Sequence, residues 1–306
     1  MSENKKGTLY VVGTPIGNLK DITLRAIDTL KMVDVVLAED TRQTLKLLNH
    51  LNISKHLISY HRHNEDEKIS SVVALLDSGK NIALVSDAGM PIVSDPGGNL
   101  VKFLIENNYT VTTIPGVTAI TTAIIKSNLD NRRFAFEGFL SVNKKQRIYR
   151  LESLINETRT IIFYEAPHKL LNTLNDLYKY LGDRKICIAR ELTKIHEEYI
   201  YSTITEAIKK VEAEGIKGEI VLMVEGISEE KIAQKQKEDI IKKTIPELVD
   251  ESIENGNDKK EAMKIVAKEL GISKSDVYKE ILNRGKNERW RIATLKADDE
   301  VWKWCI

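Results

Sequence analysis

The stretch Ile82-Ala-Leu-Val-Ser-Asp-Ala-Gly-Met-Pro-Ile-Val-Ser-Asp-Pro-Gly-Gly98 decides the fold. Residues 82–86 form a short, continuous apolar run, the pattern of a strand buried on both faces. A loop of small, polar and turn-forming residues follows, and an amphipathic stretch over 98–107 closes the unit. We read Ser94-Asp95-Pro96 as the start of that helix, a capping residue with Pro at the first helical position, where its missing N–H costs nothing. Strand, loop and helix in this order make one α/β unit. The unit recurs on both sides: runs at 9–12, 33–38, 57–60 and 110–114 alternate with helical patterns at 22–31, 41–51 and 69–76. The first half is therefore expected to stack helices on a largely parallel sheet.

Further out, apolar runs at 134–140, 160–164, 186–189, 199–202 and 219–224 alternate with helical stretches near 144–156, 168–180 and 205–214. They predict a second α/β domain. We place the domains at 7–117 and 118–228, because a strand ends in Pro115-Gly116 and a helix rich in Thr and Ile follows. After Gly226 the composition turns to Lys, Glu, Asp and Ile with no β-rich run. In this extension, 229–288, the segment Ala267-Lys-Glu-Leu-Gly-Ile-Ser-Lys-Ser-Asp-Val-Tyr278 has the helix, Gly turn, Ser cap and second helix of a helix-turn-helix. It reads equally as an RNA contact and as a small packing pair. The stretch 289–306 carries Trp290, Trp302 and Trp304 and matches no amphipathic template.

A chain of 306 residues suits two domains and an appendix. With 42% hydrophobic and 30% charged residues it has the composition of a folded protein. Net charge is +1, so a polyanionic partner must be met by a local basic patch. Cys187 and Cys305 form neither a disulfide framework nor a metal spacing, and His61-Arg62-His63 is an alternate-residue pair without helical partners. No metal is expected. No apolar stretch approaches the roughly 18 residues that span a bilayer, and the polar N-terminus has no cleavable signal pattern. The expectation is a reducing cytoplasm, without membrane insertion or secretion.

Gly13-Thr14-Pro15-Ile16-Gly17-Asn18 lies at the carboxyl end of the first strand, where open α/β sheets bind ligands. Pro15 and Asn18 occupy positions where the dinucleotide fingerprint needs Gly, which weakens a nicotinamide dehydrogenase even though Glu39 and Asp40 end the second strand. The loop after the fourth strand and Ile114-Pro115-Gly116-Val117-Thr118-Ala119 lie on the same edge, and three such loops on one rim predict a binding cleft. In the second domain Arg132, Arg133, Lys144, Lys145, Arg147 and Arg150 are interleaved with aromatics. That is the pattern of phosphate contacts with stacking residues nearby, a solvated helix face being the alternative. The segments 163–169 and 190–198 are strand ends crowded with ionisable groups and complete the candidates.

Taken together, Gly13-Thr-Pro-Ile-Gly-Asn-Leu-Lys-Asp-Ile-Thr23, Ala38-Glu-Asp-Thr-Arg42, Val85-Ser-Asp-Ala-Gly-Met-Pro-Ile-Val-Ser-Asp-Pro-Gly97, Phe163-Tyr-Glu-Ala-Pro-His168 and Arg190-Glu-Leu-Thr-Lys194 closely resemble one family. It is the bacterial 16S ribosomal RNA cytidine 2′-O-methyltransferases, within the tetrapyrrole (corrin/porphyrin) methylase superfamily. The resemblance runs in order from about Gly7 to Gly226, and the extension is similar to the family's C-terminal one. It implies an α/β protein of two αβα domains of the tetrapyrrole methylase type, with S-adenosyl-L-methionine folded into the cleft between them, usually in a homodimer. It further implies cofactor contacts from Thr14, Pro15, Asp87, Ala88, Gly89, Pro91, Pro115, Thr118, Ala119, Tyr164, Ala189 and Arg190. Met90 stands where the family usually has Thr, and Val117 where it often has Pro. The first departure removes a side-chain hydroxyl and leaves backbone contacts available.

The implied acceptor is the ribose 2′-hydroxyl of a cytidine at the decoding centre of 16S rRNA, in the small ribosomal subunit. A sulfonium methyl is already electrophilic, so alignment supplies much of the barrier reduction and no metal is required. A base must take the hydroxyl proton, a step worth roughly 10²–10⁴ in rate. Glu39, Asp40 and Glu191 are the candidate bases, with Arg42 and Lys194 holding phosphate or lowering the oxygen's pKa. Against this, Glu39 and Asp40 read equally as caps of the helix starting near Thr41, and Glu191 as an ion-pair partner of Arg190 or Lys194. A competing reading keeps fold and cofactor but methylates a small tetrapyrrole or another metabolite, which would need neither the basic stretch nor the extension. A third makes the chain a non-catalytic RNA- or ribosome-binding protein that reads through the extension.

Overall fold

The computed structural model describes residues 6–62, 64–232, 234 and 244–282. His63, the end of the extension beyond 282 and the Trp-bearing 289–306 stretch lie outside them. Strands β1 (Leu9–Val12), β2 (Val35–Ala38), β3 (His56–Ser59), β4 (Ile82–Val85) and β5 (Val111–Ile114) form one sheet in the order β3-β2-β4-β1-β5. Every neighbouring pair is parallel. Alternate side chains leave a strand on opposite faces. On one face Val12, Val36, Ala38 and Val85 pack with α1 (Leu24–Met32) and α2 (Thr41–His50). On the other, Leu9, Val11, Leu37 and Leu84 pack with α3 (Glu65–Asp77) and α4 (Gly98–Glu106). With both faces covered, the central strands read as unbroken apolar runs.

Thr23 caps α1 by accepting from Ala26 N–H at 3.1 Å, and Asp40 caps α2 by accepting from Arg42 N–H at 2.8 Å. The start of α4 departs from expectation. The helix begins at Gly98, its N-cap Gly97 sits at φ +121°, and neither Ser94 nor Asp95 caps it. Its orphan N–H groups go to Glu65 of α3, whose Oε1 accepts from Gly97 at 3.1 Å and Asn99 at 3.0 Å. A carboxylate from a neighbouring helix satisfies the donors and meets the positive end of the dipole.

The second half contains α5 (Ala119–Ile125), β6 (Phe134–Gly138), α6 (Lys144–Ser153), β7 (Thr160–Glu165), α7 (Pro167–Leu181), β8 (Lys185–Arg190), β9 (Glu198–Thr203), α8 (Ile204–Glu214) and β10 (Ile220–Val224). Its sheet, ordered β6-β7-β10-β8-β9, is mixed: β6 and β7 are parallel, while β10 runs antiparallel to both β7 and β8, and β9 antiparallel to β8. One face, with Ile162, Cys187, Ala189 and Val221, packs against α5; the other, with Phe163, Ile188 and Leu222, packs against α6, α7 and α8. Ile16, from the loop after β1, belongs to the α5 core, and the two halves form a single compact unit up to Ile227.

From Ser228 the chain forms a second unit. Helices Ile245–Glu254, Lys259–Leu270 and 274–282 close around Leu248, Val249, Met263, Val266 and Val277. Gly271 ends the middle helix at φ +65°, the left-handed C-cap that favours glycine, and Ser273 Oγ accepts from Asp276 N–H at 3.2 Å to start the next. This is the helix, Gly turn, Ser cap and helix read from the sequence. Among the described residues no helix is long and apolar enough to cross a membrane.

Candidate active site

Because the first sheet is wholly parallel, the loops that follow β1, β2, β4 and β5 leave from one edge. Two of them are clipped together. Thr14 N–H donates to Gly89 O at 2.8 Å, Gly89 N–H returns to Thr14 O at 3.1 Å, and Thr14 Oγ1 donates to Ser86 O at 3.2 Å. The β1 and β5 loops meet backbone to backbone. A Cβ on Gly13 would lie 2.8 Å from Gly116 Cα and 2.7 Å from Met90 Sδ, so glycine is required for the approach.

In the second sheet Ile220 is registered against both Glu165 and Arg190, and Arg190 against Glu198. That rim is made of the carboxyl ends of β7 and β8 with the amino ends of β9 and β10. Asn18 N–H donates to Thr193 Oγ1 at 3.0 Å and ties the two rims together. Between them lies a cleft of about 370 Å³, within the usual span of small-molecule sites. Ile16, Ile120, Leu192 and Val221 give it apolar walls. Ala88, Gly89, Thr118 and Ala119 offer small residues, Tyr164 and Phe139 an aromatic side, and Asp95, Glu165 and Glu219 acids.

The three acids are not equivalent. Glu165 is buried and accepts from Ala166 N–H at 2.8 Å and from the Thr173 hydroxyl, and Glu219 accepts from Lys194 Nζ at 3.0 Å. Asp95 is pushed above the ordinary carboxylate range by burial, with the Asp87 charge adding and Ser86 and Arg62 opposing. Tyr164, on the other rim, is pushed up to about 12 by burial and then by the charge of Asp95. Glu39 is raised by burial and by Asp95 and Asp87; Asp87, raised by its own burial, accepts from Asp40 N–H at 3.0 Å. Both rims also hold strained backbone. Ile92 (φ +76°) and Ser94 (φ +74°) lie in one loop, Glu191 (φ +51°) and Thr193 (φ +64°) in the other, at about 1–3 kcal/mol each.

A family model described as Tetrapyrrole (Corrin/Porphyrin) Methylases matches residues 8–208. The chain belongs to this tetrapyrrole methylase family. A protein of Bacillus subtilis (strain 168) named ribosomal RNA small subunit methyltransferase I is 46% identical over 283 residues, 91% of this chain and 96% of its own length. A Synechocystis protein of the same name is 51% identical over 225 residues, 73% of this chain and 81% of its own. The structure of uroporphyrin-III C-methyltransferase from Thermus thermophilus, complexed with S-adenosyl homocysteine, has the same fold, with a TM-score of 0.52 at 19% identity. The match covers 71% of this chain and 97% of that one.

In this methylase the cleft gathers Ala88, Gly89, Thr118, Ala119 and Tyr164 of the expected cofactor contacts. The others lie elsewhere. Thr14 and Pro15 are buried, Thr14 serving as the clip between loops. Asp87 holds the Asp40 main chain. Pro91 borders a separate hollow, Pro115 is exposed and Ala189 is fully buried. Arg190 pairs with Glu198 and lines a second hollow outside the cleft. Of the expected catalytic groups, Asp40 caps α2 and pairs with Arg42, while Glu191 pairs with Lys194 at 3.0 Å and accepts from Glu219 N–H at 2.9 Å. The expected RNA contacts divide. Arg147 pairs with Asp176 at 2.6 Å and reaches Thr173, Arg150 pairs with Glu137, and Arg132 faces Asp130 at 3.5 Å. Arg133, Lys144 and Lys145 are exposed. Among the cleft residues, Ile120, Glu219, Ile220 and Val221 escaped the sequence reading, and Asp95, on a loop expected at the rim, was assigned there as a helix cap.

Proposed function

We propose that this chain is an S-adenosyl-L-methionine-dependent methyltransferase acting on the ribose 2′-hydroxyl of a cytidine in the 16S rRNA of the small ribosomal subunit. The observation that carries the reading is 46% identity, over 91% of the chain, to a protein named for methylation of small-subunit ribosomal RNA. The cofactor supplies a sulfonium-bound methyl group ready for transfer. The cleft suits it: apolar walls from Ile16, Ile120, Leu192 and Val221 for the adenine, small residues at Ala88 and Gly89 that let the ligand approach the main chain, and carboxylates compatible with a cationic sulfur. The apolar walls exclude water and fix the direction from which the acceptor oxygen arrives.

Asp95 takes the proton of the 2′-hydroxyl. Of the cleft acids, Glu219 is held by the Lys194 ammonium and Glu165 by the Ala166 N–H and the Thr173 hydroxyl, whereas Asp95, which meets the Ser86 hydroxyl, is raised by burial and is the stronger base. Hydrogen bonds from Arg42 push Asp40 down to about 2, and the Glu219 N–H and Lys194 lower Glu191, so both are weak bases. Glu39 is a second raised carboxylate on this rim, pushed up by burial and then by the charges of Asp95 and Asp87. The enzyme works in the cytoplasm as a homodimer, without a metal. The test is transfer of labelled methyl from S-adenosylmethionine to small subunits lacking the modification, followed by nuclease mapping. Label in a 2′-O-methylated cytidine is expected. Binding of the cofactor without label in RNA, but with label in a tetrapyrrole acceptor, overturns the assignment.

A further inference from the structure

Beside the cleft, the β6–α6 connection forms a shallow groove of about 470 Å³, floored by Leu140 and bordered by Phe139, Tyr149, Lys145 and Gln146. Phe139 is 60% exposed and Tyr149 75% exposed, so both aromatic residues stand largely in solvent. Phe139 also lines the cleft, and its ring centroid is 5.6 Å from that of Tyr164, so the groove continues the cleft's aromatic wall outward. The cations around it are sorted. Arg150 is held by the buried Glu137, whereas Lys144 and Lys145 have no ion pair among the described residues. Two exposed aromatics on the border of one groove, with Lys145 on the same border, suit a ligand that alternates flat apolar rings with negative charge, which is single-stranded nucleic acid. A neutral or basic peptide would bury the rings but leave the lysines unmatched.

We propose that this groove is a subsite for the nucleotide next to the acceptor, its base stacked on Tyr149 and Phe139 and its phosphate met by Lys145. The proposal rests on the rRNA reading of the cleft. It sets a direction for the strand, out of the cleft over Phe139 and along the start of α6. It also gives Tyr149 a role in substrate affinity with no role in the chemical step.

The test compares unsubstituted protein, Tyr149→Ala and Tyr149→Phe in methyl transfer to small subunits lacking the modification, with S-adenosylmethionine affinity measured by calorimetry. Tyr149→Ala should raise KM for the subunit roughly tenfold, the size of one base–aromatic stack, with kcat and cofactor affinity retained. Tyr149→Phe should restore KM, because the ring stacks and the hydroxyl does not. An unchanged KM in Tyr149→Ala, with the unsubstituted protein active, overturns the subsite and leaves the rRNA reading intact. A fall in activity that tracks conversion of a dimer to monomers assigns the groove to self-association and also overturns it. If the unsubstituted protein transfers no methyl to the subunit, the rRNA reading fails, and the subsite with it.

Discussion

The two rims of the cleft reach the same place by different topologies. On the first, every strand is parallel, so each site loop follows a strand: 13–18 after β1, 39–40 after β2, 86–97 after β4 and 115–118 after β5. On the second, β10 runs backwards between β7 and β8, so Glu219 and Val221 come from the start of a strand, opposite Glu165 and Arg190 at the ends of others. Their chemistry differs as well. The first rim crowds Glu39, Asp87 and Asp95 where burial raises their proton affinity; the second ties its acids to Lys194, Thr173 and main-chain N–H groups. The parallel rim thus carries the carboxylates of raised proton affinity, and the mixed rim those held by partners.

Removing the base from the first rim should have the largest effect. Asp95→Asn keeps the side chain's shape and should lower the single-turnover rate of methyl transfer by roughly 10²–10⁴-fold while cofactor binding by calorimetry persists. The unsubstituted rate should rise with pH through a midpoint above the usual aspartate value, because only the ionised carboxylate accepts the proton and burial raises its pKa. Crowding the first rim comes next. Gly13→Ala places a methyl against Gly116 and Met90, which should cost about 1–3 kcal/mol in denaturant unfolding.

The basic segment of the second half should separate into two kinds of cation. Arg147→Ala removes charge-assisted bonds to Asp176 and Thr173 and should lower stability by about 1.5–3 kcal/mol, leaving the salt dependence of subunit binding unchanged. Replacing Lys144 and Lys145 with Ala should do the reverse, reducing the slope of log affinity against log salt by about 1–2 with no change in melting. The smallest effect concerns Glu157, held down to about 2 by its hydrogen bonds to Arg159. A depressed carboxylate stabilises the fold above its unfolded pKa, and the gain is lost as pH falls toward the folded value. Glu157→Gln should therefore cost up to about 1 kcal/mol at neutral pH, and the difference should vanish in acid titration near pH 2.

This contrast also explains what could be read in advance. Strand and helix positions in both halves follow from the lengths of apolar runs and their punctuation. The first rim was legible because ligands sit after parallel strands, a rule that fails for Glu219, which precedes β10 in a sheet whose strand directions no local pattern reveals. Asp95 was misread because Ser-Asp-Pro resembles a helix start, while the carboxylate that takes the helix's first N–H groups, Glu65, lies on another helix, 32 residues before Gly97. Arg147 looked like a phosphate contact because its partner, Asp176, lies 29 residues away on another helix; Arg150 did so because the single acid of the stretch, Glu137, meets it only once β6 and α6 are folded against each other. A long loop with two acids between small residues, Asp87 and Asp95, was the one available signal for a buried carboxylate cluster.

On the function proposed above, the cofactor is held by both rims at once. Ultraviolet cross-linking of S-adenosylmethionine carrying a labelled methyl group, followed by peptide mapping, tests it directly. Label is expected on peptides from both rims, those containing Ala88–Asp95 and those containing Tyr164–Pro167. Label confined to one rim, or found on the hollow that includes Arg190 and Lys217, would contradict it.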